Sequence, residues 1–186
     1  MRPTEAITQR RSIRRFTEQP PTREEIESIL HAATHAPNHK LTQPWRFYVL
    51  GPEARAAYGR ALGVRKAKKA PDEQAGELVR ERTAEEHRAL PAMIAVAMTQ
   101  SDNPETREED YAAVMMSVAM LSIAAVERGL GTHIKTGAVM QDPAARAAVG
   151  LPDNEKIVAI VNLGRPSELP PARERGSLET FVRWVD

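Results

Sequence analysis

Cysteine is absent from the 186-residue chain. That excludes disulfides, thiolate metal sites and a cysteine nucleophile. Charge of one sign is also missing: 26 Lys and Arg face 25 Asp and Glu, a net of +1. No global field therefore draws the chain to nucleic acid or to an anionic membrane. Aromatic residues make up 4% of the chain, so each Trp, Tyr and Phe counts as a potential anchor. By composition no stretch reads as the ~18 apolar residues of a membrane span. Residues 1–16 carry no apolar segment of the secretory type, which makes the cytoplasm the expected compartment. Neither G-x-G-x-x-G nor a Walker A sequence occurs, which speaks against a Rossmann dinucleotide domain and a P-loop NTPase. A G-x-S-x-G nucleophile elbow is missing too.

What is present suits one globular domain: 41% hydrophobic and 27% charged residues. Thr4 reads as the cap of a short helix running into Gln9 and Arg10. Thr22 opens a second helix, with Glu25 three residues on as a capping box. Ile26, Ile29, Leu30 and Ala33 follow at helical spacing. Residues 36–45 (APNHKLTQPW) read as a loop, Arg46–Leu50 as a strand, and Pro52 to Leu62 as a helix. The charged stretch 65–90 reads as a solvated helical excursion broken at Ala70–Pro71, or as a mobile lid. Ala92–Met98 is a buried strand and residues 100–105 a polar loop. Asp110–Glu127 is a helix apolar on most faces, in which Met115, Met116 and Met120 serve as core or interface filler. Thr132–Lys135 and Lys156–Leu163 are strands, with a helix Pro143–Val149 between them. Residues 166–186 form a loop and a terminal arm, strand or extended, with Phe181 and Trp184 as anchors.

Few residues single themselves out chemically. Arg10, Arg11, Arg14 and Arg15 crowd into RRSIRRF, the densest basic cluster. It reads as a solvated basic turn or as an anion site. In an extended backbone Arg10 and Ser12 share one side, and guanidinium forks suit phosphate oxygens. A nucleic-acid surface is the weaker reading, because the cluster is short and the chain nearly neutral. His31, His35 and His39 fall at i, i+4, i+8, the spacing of a metal stripe. Pro37 interrupts that helix and no HExxH accompanies it, so no metal site is expected. Surface histidines, or histidines flanking a ligand pocket, are the remaining readings.

Three segments together resemble the nitroreductase family of flavin-mononucleotide (FMN) enzymes, its short, minimal branch. They are RRSIRRF, then APNHKLTQPWRFYVL, then GLGTHIKTG after the apolar helix. The resemblance spans Thr4 to Gly164. It implies an α+β fold, a three-layer α-β-α sandwich with a mixed, mainly antiparallel sheet, in an intertwined homodimer with FMN at the interface. It implies further that Arg10, Arg11 and Ser12 hold the phosphate and ribityl oxygens. Arg14 reaches the N1–C2=O edge of the ring, and Ile134, Lys135 and Thr136 line the cofactor. His35 and His39 reach the flavin held mainly by the other subunit. Gln43, Pro44 and Trp45 fix the loop, with Trp45 as packing. Leu41 stands where many members carry Asn, which shifts that contact to His39 and backbone amides. No catalytic side chain is needed, since the flavin carries the chemistry. The implied activity is transfer of reducing equivalents from NAD(P)H to a nitroaromatic, quinone or similar small-molecule acceptor, by a ping-pong course. Dehalogenation, enone reduction and flavin binding without turnover are the alternatives, and a nucleic-acid-binding regulator is the reading from a different class.

Overall fold

The computed structural model describes residues 2–185. Its helices are α1 (Pro3–Gln9), α2 (Arg23–Ala33), α3 (Pro52–Ala67), α4 (Glu73–Arg88), α5 (Pro104–Glu127), α6 (Pro143–Val149) and α7 (Leu178–Phe181). Its strands are β1 (Trp45–Val49), β2 (Ala92–Thr99), β3 (Gly131–Lys135) and β4 (Glu155–Gly164), in spatial order β1-β2-β4-β3. All three strand pairs are antiparallel. A single parallel bridge, Ser12 to Thr132, adds the mixed element at the β3 edge.

Side chains alternate across this sheet and so build two cores. On one face Ile94, Val96 and Met98 of β2 and Val161 and Leu163 of β4 pack against α2 and α5. On the other, Met93, Ala95, Ile157 and Ile160 meet Tyr58 and Ala61 of α3 and Ala145 and Val149 of α6. A bulge opposite Val96–Ala97 resets the register within β4, which lets neighbouring Val158 and Ala159 both serve the first core. Each fully buried Ile or Leu here contributes roughly 1.5–3 kcal/mol. The result is the three-layer sandwich that the resemblance implies.

The element ends show where local signals mislead. α1 is capped by Arg2, not Thr4: the Glu5 carboxylate accepts the Arg2 backbone N–H at 3.0 Å. The capping box of α2 is present as read, with Thr22 and Glu25 exchanging bonds of 3.2 and 2.8 Å. α3 continues five residues past Leu62, and α5 starts at Pro104, six before Asp110. Its first turn is charged and shows no apolar period, but Asn103 accepts the amides of Glu105 and Thr106 at 2.9 and 3.1 Å. α5 is in fact long and apolar enough to cross a membrane, contrary to the compositional reading; half of that stretch is buried inside the fold, where it forms the central helix. The terminal segment is an arm holding one helical turn, not a strand.

The charged stretch 65–90 covers the end of α3, a turn and all of α4, which folds back antiparallel on α3. Glycine makes the approach possible. A Cβ at Gly59 would sit 2.6 Å from the Thr83 carbonyl oxygen, and one at Gly63 would sit 2.8 Å from Arg80 Cα. The exposed ion pairs of this hairpin, such as Arg82–Glu86 at 2.9 Å, add little each. Packing is what seats α4. His87 of α4 is buried against Gly59 of α3, and its Nδ1–H donates to the Thr83 carbonyl at 2.8 Å.

Two predictions follow from this hairpin's packing. Gly59→Ala gains ~1 kcal/mol of helix propensity but collides with backbone, so it is expected to cost a net ~1–3 kcal/mol; urea unfolding checks this, and an unchanged midpoint would contradict the close approach. Burial, with Lys135 and Lys66 nearby, pushes the His87 pKa below its ordinary 6.5. The unfolded chain therefore binds a proton near pH 6.5 that the folded chain refuses, so stability falls as pH drops from 6.5 toward the folded pKa. Thermal midpoints at pH 7.5 and 5.5 should differ, and His87→Gln should flatten that difference.

Candidate functional site

The basic segment leaves α1 at Arg10 and runs extended beside β3. Ile13 N–H donates to the Thr132 carbonyl at 2.9 Å, and Thr17 N–H to that of Arg165 at 2.9 Å. Ile13 is buried against Gly131, where a Cβ would lie 2.3 Å from Ile13 Cγ1. An extended backbone alternates its side chains. Arg11 and Ile13 accordingly line a cavity of about 420 Å³ together with Val126, Leu130 and Leu169, and none of Arg10, Ser12 or Arg14 does. Arg11 spends its guanidinium on the carbonyls of Thr8 and Arg10, at 2.8 and 3.1 Å. Arg10 and Arg14 form no ion pair among the described residues.

On β3, His133 and Lys135 share one face, and Ile134 turns to the other, where it packs on the α2–α5 core. Burial lowers the Lys135 ammonium below its ordinary 10.5; Lys66 of α3 adds to this and Glu86 of α4 opposes it. Burial likewise lowers His133, helped by Lys135 and Arg14. Lys66 thus acts on Lys135, and Lys135 and Arg14 act on His133. Lys135 has no ion-pair partner among the described residues, and the buried Thr132 hydroxyl has no hydrogen-bond partner. Thr136 follows, exposed, at the end of the strand. The segment carrying Arg10, Ser12 and Arg14 thus runs along β3, which ends in Lys135 with Thr136 after it.

His35 and His39 lie elsewhere. They are exposed at the end of α2 and in the 3-10 turn His39–Leu41 that leads into β1. β1 is the opposite edge of the sheet, three strand spacings or roughly 14 Å away from β3. One chain does not bring the two sets together. The His31 and His35 rings meet edge-on at 4.9 Å, and His39 turns to Glu109 of α5 at 2.8 Å. Among the described residues no three His, Asp or Glu side chains converge as metal ligands.

The loop around His39 is strained: Lys40, Leu41 and Gln43 have φ of 61°, 49° and 45°. Such conformations in residues with a Cβ cost free energy and persist where surrounding contacts enforce them. Here the Thr42 hydroxyl donates to Asp110, and Gln43 N–H donates to Asn38 Oδ1 at 2.7 Å. Trp45 is buried in the α2–α5 core, as packing. Sequence reasoning passed over Glu109, Asp110 and His133. The two acids act on a loop some 70 residues away, and no local pattern announces that contact; His133 stood in the GLGTHIKTG segment and was legible from strand alternation with Lys135.

Comparisons with known proteins agree on one relationship. The sequence profile of the Nitroreductase family matches residues 7–165. YfhC of Bacillus subtilis (strain 168), a presumptive NAD(P)H nitroreductase by name, is 32% identical over 170 residues, covering 91% of this chain and 87% of that protein. The solved structure of a nitroreductase-like family protein from Bacillus cereus superposes with a TM-score of 0.84 at 28% identity, over 100% of this chain and 97% of the other. The FMN- and NADPH-dependent nitroreductase NfnB from Sphigopyxis sp. strain HMH shares the fold, with a TM-score of 0.80 at 21% identity over the full length of both. The chain belongs to the nitroreductase family.

Proposed function

We propose that this enzyme passes reducing equivalents from NAD(P)H through FMN to a nitroaromatic, quinone or similar acceptor, at a site completed by a second copy of the chain. The observation that carries the reading is the β3 edge itself. Arg10, Arg14 and Lys135 bring positive charge there with no ion-pair partner among the described residues, although Glu86 of α4 acts on Lys135, against Lys66; the buried, unpaired hydroxyl of Thr132 lies on the other face of β3. Lys135, half-buried and repelled by Lys66, favours an anion beside it. A ligand with a phosphate and a ring edge that gains negative charge on reduction fits that donor set. Arg10 and Ser12 would hold the phosphate and ribityl oxygens, while Arg11, on the other side of the strand, braces the turn. Arg14, Lys135 and Thr136 would face the ring, and Ile134 would set the strand against the core beneath it. When bound, the flavin supplies the two-electron transfer, and the chain's residues bind, orient and tune it.

His35 and His39 enter through a partner. Their distance from the β3 edge within one chain is what a two-fold dimer would close, each copy lending its β1 edge to the other's β3 edge. α5 offers an exposed apolar line, Ala112, Met116 and Ala119, and the terminal arm leaves Phe181 and Trp184 71% and 93% exposed. Both suit burial against a second copy. A shared ring face favours a ping-pong course, with the nicotinamide leaving before the acceptor enters. Dependence on NAD(P)H goes with a cytoplasmic location.

The test is spectroscopic. Purified protein is expected to be yellow and to bleach on anaerobic addition of NADPH or NADH; a flavin that binds and does not bleach would reduce the chain to a binder. Arg10→Ala should weaken FMN binding by about 1.5–3 kcal/mol, the scale of a charge-assisted hydrogen bond, with Arg11→Ala much milder. Lys135→Gln should lower the flavin midpoint potential by ~30 mV or more, equivalent to ~1.4 kcal/mol in a two-electron couple. Equal FMN affinity in both arginine variants would contradict the two-sided reading of the strand.

A further inference from the structure

Two consecutive acids of α5 hold the strained loop ahead of β1. Glu109 Oε1 lies 2.8 Å from His39 Nδ1, and Glu109 Oε2 lies 3.3 Å from Lys40 Nζ. Asp110, the next residue, is buried and accepts from the Thr42 hydroxyl. The loop between these two tethers contains the left-handed residues Lys40 and Leu41. The clamp therefore maintains a backbone that the residues would not adopt alone, and the side chain it directs most specifically is His39.

The chemistry of the contact fixes the ring. The hydrogen bond from His39, aided by Lys40 and opposed by partial burial, holds the Glu109 carboxyl below the usual carboxylate range. An ionised carboxylate only accepts, so Nδ1 must carry the hydrogen. That leaves Nε2 as the ring's outward atom. It makes no hydrogen bond among the described residues, and the side chain is 68% exposed. The charged groups around the ring are Glu109 and Lys40 in contact, with Asp110 one residue further along α5.

We infer that Glu109 is the positioning residue for His39: it fixes the Nδ1–H tautomer and presents Nε2 to the cofactor bound on the second copy. The inference rests on the reading above that this loop completes the partner's site. Nε2 would then meet an electron-rich edge or an acceptor oxygen, accepting when the ring is neutral and donating when it is protonated. Asp110 has the companion task of keeping the loop in the conformation from which His39 reaches out.

The test is ring-nitrogen NMR on the FMN-loaded protein, before and after anaerobic reduction by NADPH. Wild type is expected to show His39 as the Nδ1–H tautomer, with an Nε2 shift that moves when the flavin is reduced. Glu109→Gln, whose carboxamide can itself donate, should release the ring toward the Nε2–H tautomer, with FMN content retained. An Nε2–H tautomer in wild type overturns the role of Glu109 and leaves the shared site standing. An Nδ1–H tautomer whose Nε2 shift ignores flavin reduction overturns the aim at the cofactor, and with it the placement of this loop in the partner's site. The wild-type measurement decides even if the variant does not fold.

Discussion

The hydrogen bond from Ile13 N–H to the Thr132 carbonyl, 2.9 Å long, is the contact on which the rest of the site depends. It makes the basic segment a partial fifth strand, and an extended strand has two sides. The alternation sends Ile13 and Arg11 toward one and Arg10, Ser12 and Arg14 toward the other. Gly131 lets the two backbones come this close, because any side chain there would occupy the space of Ile13. A cluster of four arginines would otherwise be a diffuse positive surface. Pinned to β3, it runs along the strand that carries Lys135, with Arg10, Ser12 and Arg14 sharing one side.

The same sheet that gathers these groups separates them from the histidines. β2 and β4, buried on both faces, stand between the β3 edge and the β1 edge and cannot be removed without losing both cores. Within a single chain the two sets of candidate residues therefore lie toward opposite edges of the sheet. The exposed apolar line on α5 and the uncovered aromatic residues of the terminal arm point in the same direction. A free chain would keep that apolar surface in water, and the second copy proposed above would cover it while joining the two sets of residues.

The fold was legible where the signal is local. The capping box at Thr22–Glu25, the apolar runs of β2 and β4 and the Pro143–Val149 helix all read directly. The ends of α3 and α5 did not, because their charged turns show no apolar period, and the length of α5 only emerged with its Asn103 cap. The spacing of Gly59 and Gly63 puts both on one helix face, a signal of close helix packing that lay in the sequence unread beside the louder charge pattern of residues 65–90. At the site, RRSIRRF and THIKT declared themselves by residue type. The Glu109–His39 and Asp110–Thr42 contacts did not, since they join α5 to a loop far away in the chain, and no spacing rule reaches that far. Nor could the sequence show that Arg11 is spent on carbonyls while the Arg10 guanidinium has no partner among the described residues.

The central claim is that one functional site takes its arginines from one copy and its histidine from the other. Complementation tests it most directly. An Arg10→Ala chain and a His39→Ala chain, each poorly active as its own dimer, are co-expressed and the mixed dimer is isolated with two different tags. One of its two sites then combines an intact Arg10 with an intact His39, and the other lacks both. The account predicts that flavin reduction by NAD(P)H returns to about half the wild-type level per dimer. Activity no higher than the average of the two parent variants would contradict it, because that is what a site built within one chain would give.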